Sequence, residues 1–143
     1  MPQFRTTRHI KGMYTLKVED AYRHFDDSVC LINDFDRRDY LYEVPLRCLI
    51  SENIKNLFAV GRCASAEGYA WDVLRVIPPA ILTGQAAGVA ASHAIDEGTG
   101  VQDVDILALQ NALRDKNVLI HMTNELMPDG MKEDSFCPTE GHM

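Results

Sequence analysis

The sequence predicts an α/β fold, because short apolar segments of strand character are followed by two helices in the second half of the chain. The 143 residues are 46% hydrophobic and 24% charged, a composition typical of a globular protein and not of a disordered one. A chain of this length fits one domain of ordinary size and can bury a core.

The first predicted elements are short and separated by polar sequence. Residues 10–16 alternate as a half-buried strand does, which predicts a strand there. A short helical stretch is predicted over 21–24. The acidic segment 26–40 is predicted to be mostly loop, with a short apolar piece at 29–32.

Two further strands are predicted before the first long helix. Residues 41–50 have strand composition, but Pro45 cannot donate to a ladder, so this strand should lie at an edge, carry a bulge or break there. Residues 51–55 predict a turn. Residues 57–60 predict a short buried strand that ends at Gly61.

The helix over 79–97 is the best supported element. Proline is favourable at a helix start, and Gly98 is placed to end the helix. Small residues share one face and predict close packing against a neighbour, which would offset the low helix propensity of the two glycines: Ala80, Gly84, Ala87, Gly88 and Ala91.

A second helix is predicted over 106–116. Asp105 is a plausible N-cap, and an apolar stripe follows it, formed by Ile106, Leu109 and Leu113. The polar segment 122–143 lacks periodicity, so we expect a tail that packs loosely.

Composition argues against several classes of partner. A net charge of −7 opposes non-specific attraction to nucleic acid or to an anionic membrane, so neither partner is expected. The longest weakly polar run, 77–95, begins close to two prolines and holds several polar residues, which makes it a poor membrane span.

The cysteines and histidines suggest no metal site by their spacing. The four cysteines are dispersed without a Cys-x-x-Cys pair, and they lie at Cys30, Cys48, Cys63 and Cys137. We expect reduced thiols and a cytoplasmic setting. The histidines, among them His9, His24 and His121, are scattered and predict neither a metal site nor a catalytic triad.

The most informative segment is 56–88. It contains an apolar strand, a turn formed by Gly61 and Arg62, a connecting loop, and a helix start at Pro78 and Pro79. This order brings a strand end close to a helix N-terminus. Unpaired backbone N–H groups and the helix dipole there favour an anionic ligand.

This segment resembles the C-terminal signature of a family of FAD-dependent oxidoreductases. The residues that carry the resemblance are NLFAVGRCASAEGYAWDVLRVIPPAILTGQAAGVAA, and the flanks RHIKGMYTL, YEVPLRCLI and VDILALQNALR agree with it in order. The resemblance covers residues 8–120. It implies that the chain is the C-terminal fragment of a two-lobed, Rossmann-like flavoprotein.

The resemblance also implies a division of the chain. Residues 1–50 would belong to a substrate-facing lobe, residues 51–121 would close the FAD-binding lobe, and residues 122–143 would form a polar tail. The reaction would be hydride transfer between a small organic substrate and FAD. No catalytic acid or base is indicated.

Within the resemblance, Gly61 and Arg62 would lie beside the ribityl and phosphate part of FAD. The first helical turn would point N–H groups at the pyrimidine edge of the flavin, where the reduced ring carries negative charge, and Arg75 would add a positive charge there. The predicted cofactor-binding residues are Gly61, Arg62, Arg75, Ile77, Pro78, Pro79, Ala80, Ile81 and Gln85.

Two departures from the family pattern qualify these expectations. Family members often carry Thr-Cys after the helix-start proline, where this chain has Ala80 after Pro79, and the preceding loop also differs. The Gly-x-Gly-x-x-Gly motif that holds the FAD pyrophosphate does not occur in the 143 residues. We therefore expect the chain to need an N-terminal half of the same protein and to be inactive alone.

Other interpretations stay open. The chain could be a non-catalytic module that self-associates through residues 57–60 or the Pro79 helix. It could also be a small domain that binds an anionic metabolite at the helix start. Arg62 and Arg75 could simply pair with carboxylates, and Cys63 could be an inert side chain despite its cationic neighbour.

Overall fold

The computed structural model describes residues 6–37 and 40–128. Two strands and three α-helices form in the described ranges: β1 (Ser28–Asn33), β2 (Leu41–Pro45), α1 (Gly68–Leu74), α2 (Ile77–Glu97) and α3 (Ile106–Arg114). Short 3₁₀ turns occupy Val18–Asp20, Leu46–Cys48 and Gly61–Cys63. The predicted α/β class is confirmed at this level.

The strands β1 and β2 form an antiparallel pair. Cys30 is paired with Val44 and Ile32 with Tyr42, and all these side chains are buried. The prediction of mostly loop over 26–40 is therefore wrong at β1. Its first five residues are all buried, so the strand lacks the alternation that identifies a half-buried strand.

Proline 45 ends β2, as the sequence predicts, and a 3₁₀ turn follows it. The strands predicted over 10–16 and 57–60 are wrong. These segments make only single bridges, such as Gly12 with Ser51 and Ile50 with Phe58. Leu57 is 37% exposed, so the segment 57–60 is also not the buried strand expected. The segment 21–24 is not helical, so this prediction is wrong. The 3₁₀ turn at Val18–Asp20 lies just before the segment.

Both long helices confirm their predictions. Gly98 ends α2 in the left-handed conformation at φ 66°, and its N–H bonds to the carbonyls of Ala94 and Ile95. Asp105 caps α3 by accepting the Ala108 N–H at 3.1 Å. The helix α1 falls in the segment predicted as a connecting loop, because its seven residues are too few to show a helical period clearly.

The buried face of α2 differs from the predicted one. The residues that face the core are Pro79, Thr83, Ala86, Ala87, Ala90 and Ala94. Among the described residues, a Cβ added at Gly84 or Gly88 would meet nothing within 4 Å outside the local helix. The close packing predicted to compensate for these glycines is therefore not made within this part of the chain.

One main core joins residues from Leu16 to Ile120, so residues on both sides of position 50 share it. A smaller cluster contains Leu31, Leu41, Met122 and Met127. Met122 and Met127 are buried, so the expectation of a loosely packed tail is wrong at these two residues, whereas residues 123–126 are exposed. The remainder of the tail, 129–143, lies outside the described residues.

Helix length and composition bear on the membrane question. Among the described residues, no single helix is both long and apolar enough to cross a bilayer. The helices α1 and α2 pass that test only when they are taken together, and the two are bent by 79° relative to each other.

Candidate cofactor site

A cavity of about 800 Å³ lies beside the N-terminal end of α2. Residues from the end of β1, the 61–63 turn and the segment that joins α1 to α2 line it. Predicted site residues in the lining are Arg62, Arg75, Ile77, Pro78 and Pro79. The fold thus brings these residues to one cavity, as the order strand, turn and helix start suggests.

Gly61 allows the 61–63 turn to pack closely against α2. Its φ is 57°, a conformation that side chains other than glycine rarely adopt, and a Cβ there would lie 3.1 Å from the Ala80 Cβ. Gly61 and Ala80 therefore pack backbone against helix. Neither residue lines the cavity.

Thr83 holds this junction together, and the sequence reasoning missed its role. Its hydroxyl accepts the Gly61 N–H at 3.0 Å and donates to the Pro79 carbonyl at 2.8 Å. The side chain is fully buried. A threonine within a helix of alanines and glycines is a usable signal, because its hydroxyl can bond the carbonyl four residues earlier and keep an acceptor for a neighbour.

Arg62 presents a positive charge at the cavity. The residue is exposed, and in the described part of the chain no carboxylate lies within ion-pair distance of its guanidinium. Its backbone is held, since the Trp71 Nε1–H donates to the Arg62 carbonyl at 3.0 Å. The His9 ring packs edge-on against Trp71 at 4.6 Å. The alternative of a simple ion pair therefore finds no support at Arg62.

Arg75 is in a different situation. Its Nε lies 2.7 Å from the Asp72 Oδ1, so part of its charge is already balanced. Arg75 is the C-cap of α1, where a positive charge is favourable. The end of α1 and Asp72 already stabilise this cation, so its position before α2 does not require a bound anion.

The first turn of α2 offers fewer donors than the predicted array. Pro78 and Pro79 have no N–H, and the Ala80 N–H bonds to the Val76 carbonyl at 3.1 Å. This leaves the Ile77 N–H as the donor for a ligand at the start of the helix. The positive end of the helix dipole still faces the same region, and Val76 provides no side-chain cap to neutralise it.

The remaining predicted residues lie away from the cavity lining. Ile81 is 64% exposed on the outer side of α2, and Gln85 lies one turn further along that helix. Two aromatic side chains near the cavity are bonded elsewhere: the Tyr69 hydroxyl donates to Asp34 at 3.0 Å, and the Trp71 Nε1–H donates to the Arg62 carbonyl. Neither aromatic residue lines the cavity.

The chemistry of the lining suits binding more than proton transfer. Two guanidinium groups face apolar surface from Phe35, Ile77 and Leu82, and no described lining residue is a histidine, cysteine or carboxylate. A flat, partly anionic ligand matches such a set of groups.

Comparison with known families decides the assignment. Residues 1–113 match the family model described as FAD dependent oxidoreductase. The chain belongs to the FAD-dependent oxidoreductase family. No curated protein and no solved structure matches it. The family implies FAD as cofactor, in agreement with the resemblance carried by residues 56–91.

Proposed function

We propose that this chain is the C-terminal part of an FAD-dependent oxidoreductase and contributes the flavin-facing portion of its cofactor site. The supporting observation is that Arg62, Arg75 and the start of α2 line one cavity. In this proposal residues 1–50 face the substrate, and residues 51–121 close the FAD lobe of a two-lobed, Rossmann-like protein. A cytoplasmic setting belongs to the same proposal.

Different residues around the cavity contact different parts of the ligand in this proposal. Arg62 has no carboxylate partner in the described residues, and it supplies a positive charge for a phosphate or another anionic group. The Ile77 N–H and the helix dipole favour negative charge at the start of α2. Apolar surface from Phe35 and Ile77 excludes water from one side of a ring. When bound, FAD supplies the hydride chemistry.

An exposed stripe along α2 supports a further part of the proposal. Ile77, Ile81 and Ile95 are 75%, 64% and 79% exposed, and Gly84 and Gly88 lie between them at helical spacing. Apolar side chains beside glycines allow another backbone to approach closely. We propose that this stripe packs against a segment that carries the Gly-x-Gly-x-x-Gly motif of the same enzyme.

Reconstitution tests this proposal. FAD is titrated into the 143-residue chain alone and into the chain combined with a Gly-x-Gly-x-x-Gly segment of the same protein. We expect weak or no binding to the chain alone and a saturable change in the flavin spectrum for the combination. A combination that shows no saturable change in the flavin spectrum would contradict the flavin assignment.

Self-association through the same stripe is the second candidate. The exposed isoleucines support self-association as well as they support packing against the Gly-x-Gly-x-x-Gly segment, because a homo-oligomer would also bury them. Light scattering of the chain alone distinguishes the two. A dimer that dissociates when the Gly-x-Gly-x-x-Gly segment is added supports the flavoprotein proposal, whereas a dimer that excludes this segment supports the self-associating module.

A further inference from the structure

A buried carboxylate lies between two histidines that are far apart in the sequence. Glu43 belongs to β2 and has no exposed surface. The Nδ1 atom of His121 lies 3.0 Å from the Glu43 Oε2, and the Nδ1 atom of His24 lies 3.2 Å from the same oxygen. One ligand atom from each of the three residues falls within 4.8 Å of the others. Sequence spacing gives no sign of this cluster.

The backbone holds the carboxylate in place. The Phe25 N–H donates to the Glu43 Oε2 at 2.8 Å, and the Met122 N–H donates to Oε1 at 2.9 Å. Each donor follows one of the two histidines in the chain, so the same two segments position both rings and both N–H groups. Such preorganisation of a ligand is what a metal site requires.

A carboxylate beside two imidazoles forms a donor set suited to a divalent transition metal ion, which would take the place of any proton that a histidine Nδ1 shares with Glu43.

We propose that His24, Glu43 and His121 bind a divalent transition metal ion such as Zn²⁺. In a tetrahedral zinc site, bonds of about 2.0–2.2 Å place the ligand atoms about 3.3 Å apart. The observed separations of 3.0 and 3.2 Å from Oε2 are close to that value, and the three ligand atoms lie within 4.8 Å of one another. The His24 side chain is 38% exposed, which leaves an open side for entry and for a water ligand.

A neighbouring carboxylate supports this geometry. The Nε2 atom of His24 lies 3.4 Å from the Asp26 Oδ1. Histidines that bind metal through one ring nitrogen commonly donate the other N–H to a carboxylate, which fixes the tautomer. A metal on the Nδ1 atom of His24 would leave its Nε2–H for Asp26.

The site would join the segment after α3 to the sheet. His121 and Met122 belong to that segment, and Glu43 belongs to β2. A bound ion would therefore stabilise the folded chain, because it binds the folded state in preference to the unfolded one. This role is independent of the flavin proposal, and either can fail without the other.

The test is a titration of the untagged chain with Zn²⁺ by calorimetry, repeated with Co²⁺ for its visible spectrum. We expect one ion per chain, the intense bands of tetrahedral Co²⁺, and a rise in Tm with Zn²⁺. His24→Asn changes an exposed ring and should keep the fold. We expect it to weaken Zn²⁺ binding by about 10-fold or more. His121→Asn and Glu43→Gln should do the same where circular dichroism shows a folded chain.

Two matched controls separate the site from adventitious binding. His9→Asn removes a histidine outside the cluster, and Cys63→Ser removes an exposed thiol. Both should leave the affinity for Zn²⁺ unchanged. The proposal is overturned if the wild-type chain shows no saturable binding of one ion. It is equally overturned if His24→Asn binds as tightly as wild type, or if Cys63→Ser abolishes the binding.

Discussion

The Thr83 hydroxyl joins Gly61 to the first turn of α2, because it accepts the Gly61 N–H and donates to the Pro79 carbonyl. The turn that carries Arg62 and the helix that begins at Ile77 are thereby held at a fixed separation. The cavity lies between them, and Thr83, which does not line it, helps to set its shape.

Replacing Thr83 should loosen this junction. Thr83→Val removes the hydroxyl while keeping the shape, and it leaves the Gly61 N–H buried without its acceptor. We expect the free energy of unfolding to fall by about 1–3 kcal/mol in urea denaturation. Thr83→Ser keeps the hydroxyl and should lose less. A larger loss in Thr83→Ser than in Thr83→Val would show that the methyl group, and not the hydrogen bonds, stabilises the junction.

Gly61 and Gly98 form a matched pair for testing the contact with α2. Both have positive φ, 57° and 66°, but a Cβ meets Ala80 only at position 61. Gly98→Ala should cost about 1 kcal/mol for backbone strain alone. Gly61→Ala should cost clearly more, and it should lower the affinity for FAD in the reconstituted protein. Equal stabilities of the two variants would mean that the turn can shift away from Ala80.

The thiols should differ sharply in reactivity. Cys63 is exposed, whereas burial raises the pKa of Cys30 to about 12 and also raises the pKa of Cys48. In a Cys137→Ser background, we expect iodoacetamide to modify Cys63 in the native chain and to leave Cys30 and Cys48 unmodified until the chain is denatured. Peptide mass spectrometry identifies which cysteines are modified. Fast modification of Cys30 in the native chain would contradict its burial.

Tyr14 should titrate late in alkali. Burial, the hydrogen bond to Asp20 and the charge of Asp20 raise its pKa from 10.0 to about 12. Below pH 10 both folded and unfolded chains keep the proton, so this residue adds no pH dependence. Between pH 10 and about 12 the unfolded chain loses the proton first, and stability falls as the pH rises.

The measurement for Tyr14 is the phenolate absorbance, compared between wild type and Tyr14→Phe. The difference between the two curves isolates Tyr14, and we expect its midpoint well above that of an exposed tyrosine. An Asp20→Asn variant should bring the midpoint down. A midpoint at the ordinary value in the wild-type chain would show that the contact between Tyr14 and Asp20 is not formed in solution.

The sequence predicted those parts of the fold whose signals are local. Pro45 as the end of β2, Gly98 as the end of α2 and Asp105 as a cap all follow from the chemistry of single residues. The strand β1 escaped prediction because its buried run shows no alternation. The residues 57–60 have the composition of a strand, but they pair with the rest of the described chain through a single bridge.

The two sites differ in how far sequence could predict them. Arg62, Arg75 and the prolines of α2 are close in sequence, so the motif that contains them also places them together. The role of Thr83 could not be predicted from the sequence, because it depends on the hydrogen bond to its partner, Gly61. Glu43, His24 and His121 come from three distant segments, and only the folded chain shows that they meet.

The central claim is that Arg62 contributes a positive charge to a flavin site at the start of α2. The most direct measurement is the Kd for FAD of the reconstituted protein with Arg62→Ala, beside Arg114→Ala as an exposed arginine on α3. We expect Arg62→Ala to weaken FAD binding by about 10-fold or more, as the loss of a charge-assisted contact implies, and Arg114→Ala to leave it unchanged. An unchanged Kd in Arg62→Ala, with the protein folded, would contradict the claim.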